Sequence, residues 1–298
     1  MSVVDAPGAG RADSTAKASA AISTAMAPTD LAGPARIGAA FSAAESAGRA
    51  ALVPYAVAGY PDAATSLDIA VAIIDAGADL LEIGLPYSDP LADGATLQRA
   101  GSVALANGAT LDHSIELVGR IHAARPHTPL VTMGYVNQVL GGRDGARVLS
   151  RLGEAGVSGV ILADLTPDEG ADLEVEAARH GIGIVYLVAP TTPPERRRLV
   201  AARSQGFLYA VSLAGVTGAR TRLAPGVGRF LREVRSVSPV PVAVGFGVSR
   251  PSHARQLAKL ADGVIVASAL VDALGQDGRD IERMATLVRS LAEATARR

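Results

Sequence analysis

Eight short apolar runs, each followed by a longer amphipathic stretch, constrain this chain more than any other feature. The runs are Ala51 to Val57, Asp79 to Gly84, Pro129 to Gly134, Gly159 to Ala163, Gly183 to Val188, Phe207 to Ser212, Val240 to Gly245 and Gly263 to Val266. They have the length and the β-branched content of buried strands. Between them lie helical patterns at Ala64 to Ala76, Leu111 to Ala124, Gly145 to Ala155, Glu169 to His180, Pro194 to Ala202, Gly226 to Val237 and Pro251 to Leu260, and a final one covers Ile281 to Ala296. Strand-helix units of roughly 25 to 35 residues, repeated eight times, match a single α/β domain of the (β/α)8 or TIM-barrel type better than an open doubly wound sheet. No G-x-G-x-x-G follows the first run, which also counts against a dinucleotide-binding sheet.

The 298 residues are enough for one such barrel and its core. The barrel is expected over residues 35–298. Residues 1–34 are rich in Ala, Gly, Ser, Thr and Pro with almost no large apolar side chains, so they read as a disordered extension. No basic region with an apolar core after it marks a secretory signal there. From about Arg36 a helical pattern sets in, with Ile37, Ala40, Phe41 and Ala44 on one face, and its expected place is the bottom or side of the barrel. Basic and acidic residues number 28 and 29, giving a net charge of -1, and no basic cluster is interleaved with aromatics, so nucleic acid is not an expected partner. No apolar run approaches the ~20 residues of a membrane span. Cysteine is absent, which removes thiol chemistry and disulfides and suits a reducing, cytoplasmic location.

In a barrel of this type the chemistry belongs at the carboxyl ends of the strands. Within Asp79-Leu80-Leu81-Glu82-Ile83-Gly84, Glu82 breaks an apolar pattern where a charge is costly unless paired or functional. Period-two alternation puts it on one face with Leu80 and Gly84. In an apolar lumen its pKa would rise, and it could donate a proton near neutral pH. A strand-end glutamate bonded to backbone amides is the structural alternative. The loop leaving this strand carries Asp89 and Asp93, with Pro86, Pro90 and Gly94 shaping its backbone. Either aspartate could instead cap the helix beginning near Ala95.

A second constellation is rich in glycine. Gly215-Val216-Thr217-Gly218 follows the sixth run, Gly245-Phe246-Gly247-Val248-Ser249 the seventh, and Ala267-Ser268-Ala269 the eighth. Phosphate commonly binds such late loops through backbone amides and a short helix N-terminus. Ser249 and Ser268 are candidate hydroxyl donors, though a serine that begins a helix is often only a cap.

Leu81-Glu82-Ile83-Gly84-Leu85-Pro86-Tyr87-Ser88-Asp89-Pro90-Leu91-Ala92-Asp93-Gly94 resembles the long signature of the tryptophan synthase alpha subunit family. The resemblance extends from about Ala39 to Ala294. It takes in Ala58-Gly59-Tyr60-Pro61, Met133-Gly134-Tyr135-Val136-Asn137, Ala163-Asp164-Leu165 and the late glycine loops. The resemblance implies a lyase that cleaves indole-3-glycerol phosphate to indole and glyceraldehyde 3-phosphate. It makes Glu82 the acid-base residue and Asp93 the partner of the indole N-H. Tyr209 would stand beside the glutamate, while Tyr55, Met133 and Ile161 would wall the indole pocket. Thr217 would join the substrate contacts, and Phe246 would line the channel near the phosphate. Gly218, Gly247, Ala267 and Ser268 would hold the phosphate. The resemblance also implies a beta subunit that carries pyridoxal phosphate, in an α2β2 heterotetramer with indole passing between subunits, and no cofactor in this chain.

Some positions depart from the family pattern. Leu213 stands where an arginine is usual, Ala267 where a glycine precedes the serine, and Val57 where a threonine is common; Thr166-Pro167 is a further change in the fourth loop. None touches Glu82 or Asp93. His113, His122, His127, His180 and His253 fall in helical patterns or at their ends, with no metal-ligand spacing.

Overall fold

The computed structural model describes residues 31–141, 144–211, 226–245 and 247–297. The apolar runs become parallel strands in one sheet, in the order β5-β4-β3-β2-β1-β9-β8-β7-β6. These are β1 (Ala51–Val57), β2 (Leu81–Gly84), β3 (Leu130–Gly134), β4 (Val157–Leu162), β5 (Gly183–Val185), β6 (Leu187–Val188), β7 (Leu208–Val211), β8 (Val242–Gly245) and β9 (Gly263–Val266). The helices are α1 (Gly33–Ser46), α2 (Ala63–Asp75), α3 (Ala95–Ala106), α4 (Leu111–Ala124), α5 (Val136–Leu140), α6 (Gly145–Glu154), α7 (Ala171–Arg179), α8 (Pro194–Arg203), α9 (Val227–Val237), α10 (Pro251–Ala258), α11 (Ser268–Ala273) and α12 (Ile281–Ala294). This is the expected barrel, its fifth strand in two pieces.

The break falls at Tyr186. Its N-H goes to the Ser204 hydroxyl at 3.1 Å, and its carbonyl accepts from Tyr209 N at 3.0 Å. The phenol bonds Glu174 Oε1 at 2.5 Å. The preceding piece therefore pairs with β4 and the following piece with β7, and the ring closes through the chain itself. β2 also begins two residues later than the pattern predicts. The Asp79 carboxylate accepts from Leu52 N at 2.8 Å and from both terminal nitrogens of Arg49 at 2.5 and 2.6 Å. Asp79 is thus a brace between strand starts rather than a strand residue.

Alternation along the strands fills the lumen with Val53, Leu80, Val131, Ile161, Val185, Phe207, Ala243 and Ile265, and Ile37, Phe41 and Ala44 of α1 pack into the same cluster. Glycines make room for that helix. A Cβ on Gly263 would lie 2.7 Å from Phe41 Cε1, and one on Gly206 2.9 Å from Ile37 Cδ1. Both glycines are at the amino ends of strands, so α1 closes the bottom of the barrel. Burying Phe41 and Ile37 there contributes roughly 1.5 to 3 kcal/mol each. The helix starts at Gly33, earlier than the pattern indicates, because Pro34 suits its first turn and Gly33 N bonds Gly181 O at 2.8 Å. With the bottom plugged, the open end is the one where β2 delivers Glu82. No helix among the described residues is long and apolar enough to cross a membrane.

Candidate active site

Glu82 sits in β2 with Tyr55 of β1 and Val131 of β3 as its register neighbours. It is 1% exposed, and neither carboxyl oxygen has a hydrogen-bond partner among the described residues. The alternative of a strand-end glutamate satisfied by backbone amides therefore fails. Burial, and secondarily the charge of Asp93, push its carboxyl up to about 8. At pH 7 it holds its proton.

Asp93 reaches the same place from the loop after β2. Burial pushes it up to about 6, so a loop position does not leave it in free water, yet it is ionised at neutral pH. Its capping alternative also fails, because Gly94 is the N-cap of α3 and no side chain caps that end. Asp89, the other loop aspartate, is exposed and is not brought to Glu82. Two carboxyls in unequal surroundings thus stand together, one protonated and one charged, an arrangement suited to acid-base work on one substrate.

Two phenols flank them. Burial raises the hydroxyls of both Tyr55 and Tyr209 well above the usual range, with Asp93 the next cause for Tyr55 and Glu82 for Tyr209. Each ring depends on a glycine. A Cβ on Gly84 would lie 1.7 Å from Tyr55 Oη, and one on Gly245 2.8 Å from Tyr209 Oη. Gly84→Ala is accordingly expected to displace Tyr55, to destabilise the fold by about 1 to 3 kcal/mol through overpacking, and to impair the site more than a Gly38→Ala control. Gly38 has nothing within 4 Å of its Cβ position. Urea unfolding of the two variants measures the difference, and equal midpoints would refute the packing argument.

Met133 is half-buried and in register with Gly84 on one side and Ile161 on the other. Ile161 is fully buried in the lumen cluster. On the late loops, Gly247 adopts φ +60° with open space around it. Ala267 is the N-cap of α11, and Ser268 is its first residue. Ser249 Oγ lies 3.5 Å from His253 Nδ1. Thr217, Gly218 and Phe246, together with Leu213 and the rest of the sixth loop, lie outside the described residues. Among the described residues no group of three potential ligands could hold a metal ion.

Sequence reasoning missed the residues that hold the Asp93 loop. Tyr135 Oη accepts from Ala92 N at 3.0 Å, Gln98 Nε2 donates to Asp93 O at 2.9 Å, and Gln138 Nε2 donates to Pro86 O at 3.0 Å. Tyr135 lies within the resembling segment Met133 to Asn137, which assigns it no role, and the only signal of Gln98 and Gln138 is polarity near the start of a helix, a pattern shared by many surface residues.

Residues 41–297 match the family model described as tryptophan synthase alpha chain. The chain is 45% identical over 259 residues to the tryptophan synthase alpha chain of Roseiflexus sp. (strain RS-1), covering 86% of this chain and 98% of that one. It is 46% identical over 252 residues to the Deinococcus radiodurans counterpart, covering 84% and 92%. Among solved structures it is similar to Mycobacterium tuberculosis tryptophan synthase, with a TM-score of 0.81 and 38% identity over 88% of this chain and 98% of that one. The Legionella pneumophila alpha subunit gives a TM-score of 0.80 with 31% identity, covering 87% and 98%. With a buried Glu82 beside Asp93 at the open end of a parallel barrel, the chain belongs to the tryptophan synthase alpha chain family.

Proposed function

We propose that Glu82 and Asp93 carry the alpha reaction of this lyase family, the cleavage of indole-3-glycerol phosphate to indole and glyceraldehyde 3-phosphate in tryptophan biosynthesis. Protonated Glu82 donates to indole C3. The ring becomes a cationic indolenine, and Asp93 accepts the hydrogen bond of its N-H and stabilises the charge. Glu82, now a carboxylate, takes the proton of the side-chain hydroxyl as the bond from C3 to the glycerol chain breaks. The bond's electron pair returns to the ring, the hydroxyl carbon becomes the aldehyde, and the glutamate is protonated again. Tyr209 and Tyr55 keep water from the pair, with Met133 and Ile161 beside them. Amides at Gly247, Ala267 and Ser268 hold the phosphate together with Gly218, and Thr217 and Phe246 complete the pocket.

The observation that carries this reading is the Glu82 carboxyl, buried next to Asp93 without a hydrogen-bond partner among the described residues. A carboxyl kept protonated at neutral pH has no evident structural use in a packed lumen. The test is indole release from indole-3-glycerol phosphate by the purified chain. Asp93→Asn is expected to lower kcat/KM by about a hundredfold or more, as when one charge-stabilising group is removed. Undiminished release by this variant would refute Asp93's role.

The assembly belongs to the same proposal. The protein works with a beta subunit in an α2β2 heterotetramer in the cytoplasm, and indole passes to that subunit. Pyridoxal phosphate is assigned to the beta subunit, as the family resemblance implies; its Schiff base forms on an amine. The chain's lysines are Lys17 and Lys259. Lys17 lies outside the described residues, and Lys259 follows α10, at the barrel end away from Glu82. The catalytic barrel is taken to run from about residue 35, with the segment before it an extension.

A further inference from the structure

We propose that Tyr135 is the positioning residue that sets Asp93 against Glu82. This rests on the reading of Asp93 just given. Asp93 lies well beyond the end of β2, in a loop that no strand ladder fixes, so something outside the loop must hold its carboxylate in place.

The holding group comes from the segment after β3. Tyr135 is 5% exposed, and its phenol oxygen accepts the N-H of Ala92 at 3.0 Å, the residue just before Asp93. Its ring stacks on Tyr87 of the same loop, with centroids 5.1 Å apart and planes at 27°. Tyr135 is itself fixed on both sides. Its own N-H is taken by Gln138 Oε1 at 2.9 Å, and the next amide, of Val136, is taken by Asp164 Oδ1 at 2.8 Å. Gln138 also grips the start of the loop, donating to Pro86 O at 3.0 Å, while Asn137 Nδ2 donates to Tyr87 Oη at 3.1 Å. The loop that carries Asp93 is therefore clamped near its beginning, at Pro86 and Tyr87, and near its end, at Ala92, by Tyr135, Asn137 and Gln138 at the start of α5.

Of the clamp's groups the phenol oxygen of Tyr135 acts next to Asp93, whose carbonyl also accepts from Gln98 Nε2 at 2.9 Å. A phenylalanine could stack on Tyr87 equally well; what it lacks is the acceptor for the Ala92 amide. Burial and the Asp93 charge raise the phenol to about 12, so it remains a neutral acceptor across the working pH range. Among the described residues, the titratable groups facing Asp93 are Glu82 from β2, Tyr55 from β1, Tyr209 from β7 and Tyr135 itself. Freed from the clamp, the loop would admit water to the carboxylate, and Asp93 would move off the position of the indole N-H. Such misplacement costs rate without removing any group that touches substrate.

The test is a double-mutant cycle on indole release, using Tyr135→Phe, Asp93→Asn and the double variant of the full chain. Tyr135→Phe is expected to lower kcat about tenfold, with KM changed less than about twofold. The acidic limb of its pH profile should move to lower pH as Asp93 gains hydration, and its melting midpoint should stay within about 3 °C of the parent. The double variant should be no slower than Asp93→Asn alone. Full additivity of the two losses, or an unmoved acidic limb, would overturn the role of Tyr135 while leaving Asp93 in place. Unchanged kcat in Asp93→Asn would instead overturn the reading of Asp93. Gln138→Met loosens the same clamp at its other end and should move the acidic limb in the same direction, which keeps the test available if Tyr135→Phe folds poorly.

Discussion

Glu82→Gln is expected to slow indole release by about a thousandfold while making the protein harder to unfold. The rate loss follows from removing the acid-base group, whose contribution is typically about a hundred- to ten-thousandfold. The stability gain follows from linkage. The Glu82 carboxyl is raised from 4.5 to about 8 on folding, so between those values the folded chain holds a proton that the unfolded chain has released. Stability from this group is therefore fully present below the unfolded value, falls as pH rises through the window, and reaches its floor above about 8. Glutamine never ionises and escapes that cost, although its amide is as poorly hydrogen-bonded as the carboxyl it replaces. The net gain is expected to be about 3 to 5 kcal/mol near pH 8 and close to zero near pH 4. Urea unfolding of both proteins at the two pH values measures it. A variant less stable than the parent at pH 8, or a difference independent of pH, would show that Glu82 is not held protonated by burial.

The same residue explains why so much of this site could be read from the sequence. A lone carboxylate in Leu80-Leu81-Glu82-Ile83-Gly84 is conspicuous because every neighbour obeys strand patterning, and the two-residue period alone fixes its face. The bounds of β1 and β9 were equally legible, since Ala51–Val57 and Gly263–Val266 are apolar on both faces. What could not be read depends on contacts distant in sequence. The break at Tyr186 is set by Ser204, Glu174 and Tyr209, each on another element. The role of Tyr135 depends on Ala92, 43 residues earlier, and no local pattern connects them. Asp93 shows the limit most clearly. The sequence places it in a loop, while the packing around that loop half-buries it and brings it close to titrating at neutral pH.

That shift leads to the second large expectation, a narrow bell in the dependence of kcat/KM on pH. The reaction needs Asp93 ionised and Glu82 protonated. With Asp93 at about 6 and Glu82 at about 8, activity should rise through the first value, peak near pH 7 and fall through the second. The phenols of Tyr55 and Tyr209 are raised well above 10, so neither supplies the alkaline limb. The two carboxyls also affect each other, and the apparent values belong to the pair. Part of the rise at Glu82 is the charge of Asp93. In the residual activity of Asp93→Asn that charge is gone, the glutamate loses its proton more readily, and the alkaline limb should move to lower pH while the acidic limb disappears. The measurement is kcat/KM from about pH 5 to 9.5 for both proteins, a range that spans the raised carboxyl values expected of such a pair. If the alkaline limb stays fixed or moves upward in the variant, the two carboxyls do not share a site in the working enzyme. If it moves downward, the free-enzyme pKa of Glu82 is set in part by its neighbour, and the choice of which carboxyl donates follows from their unequal burial.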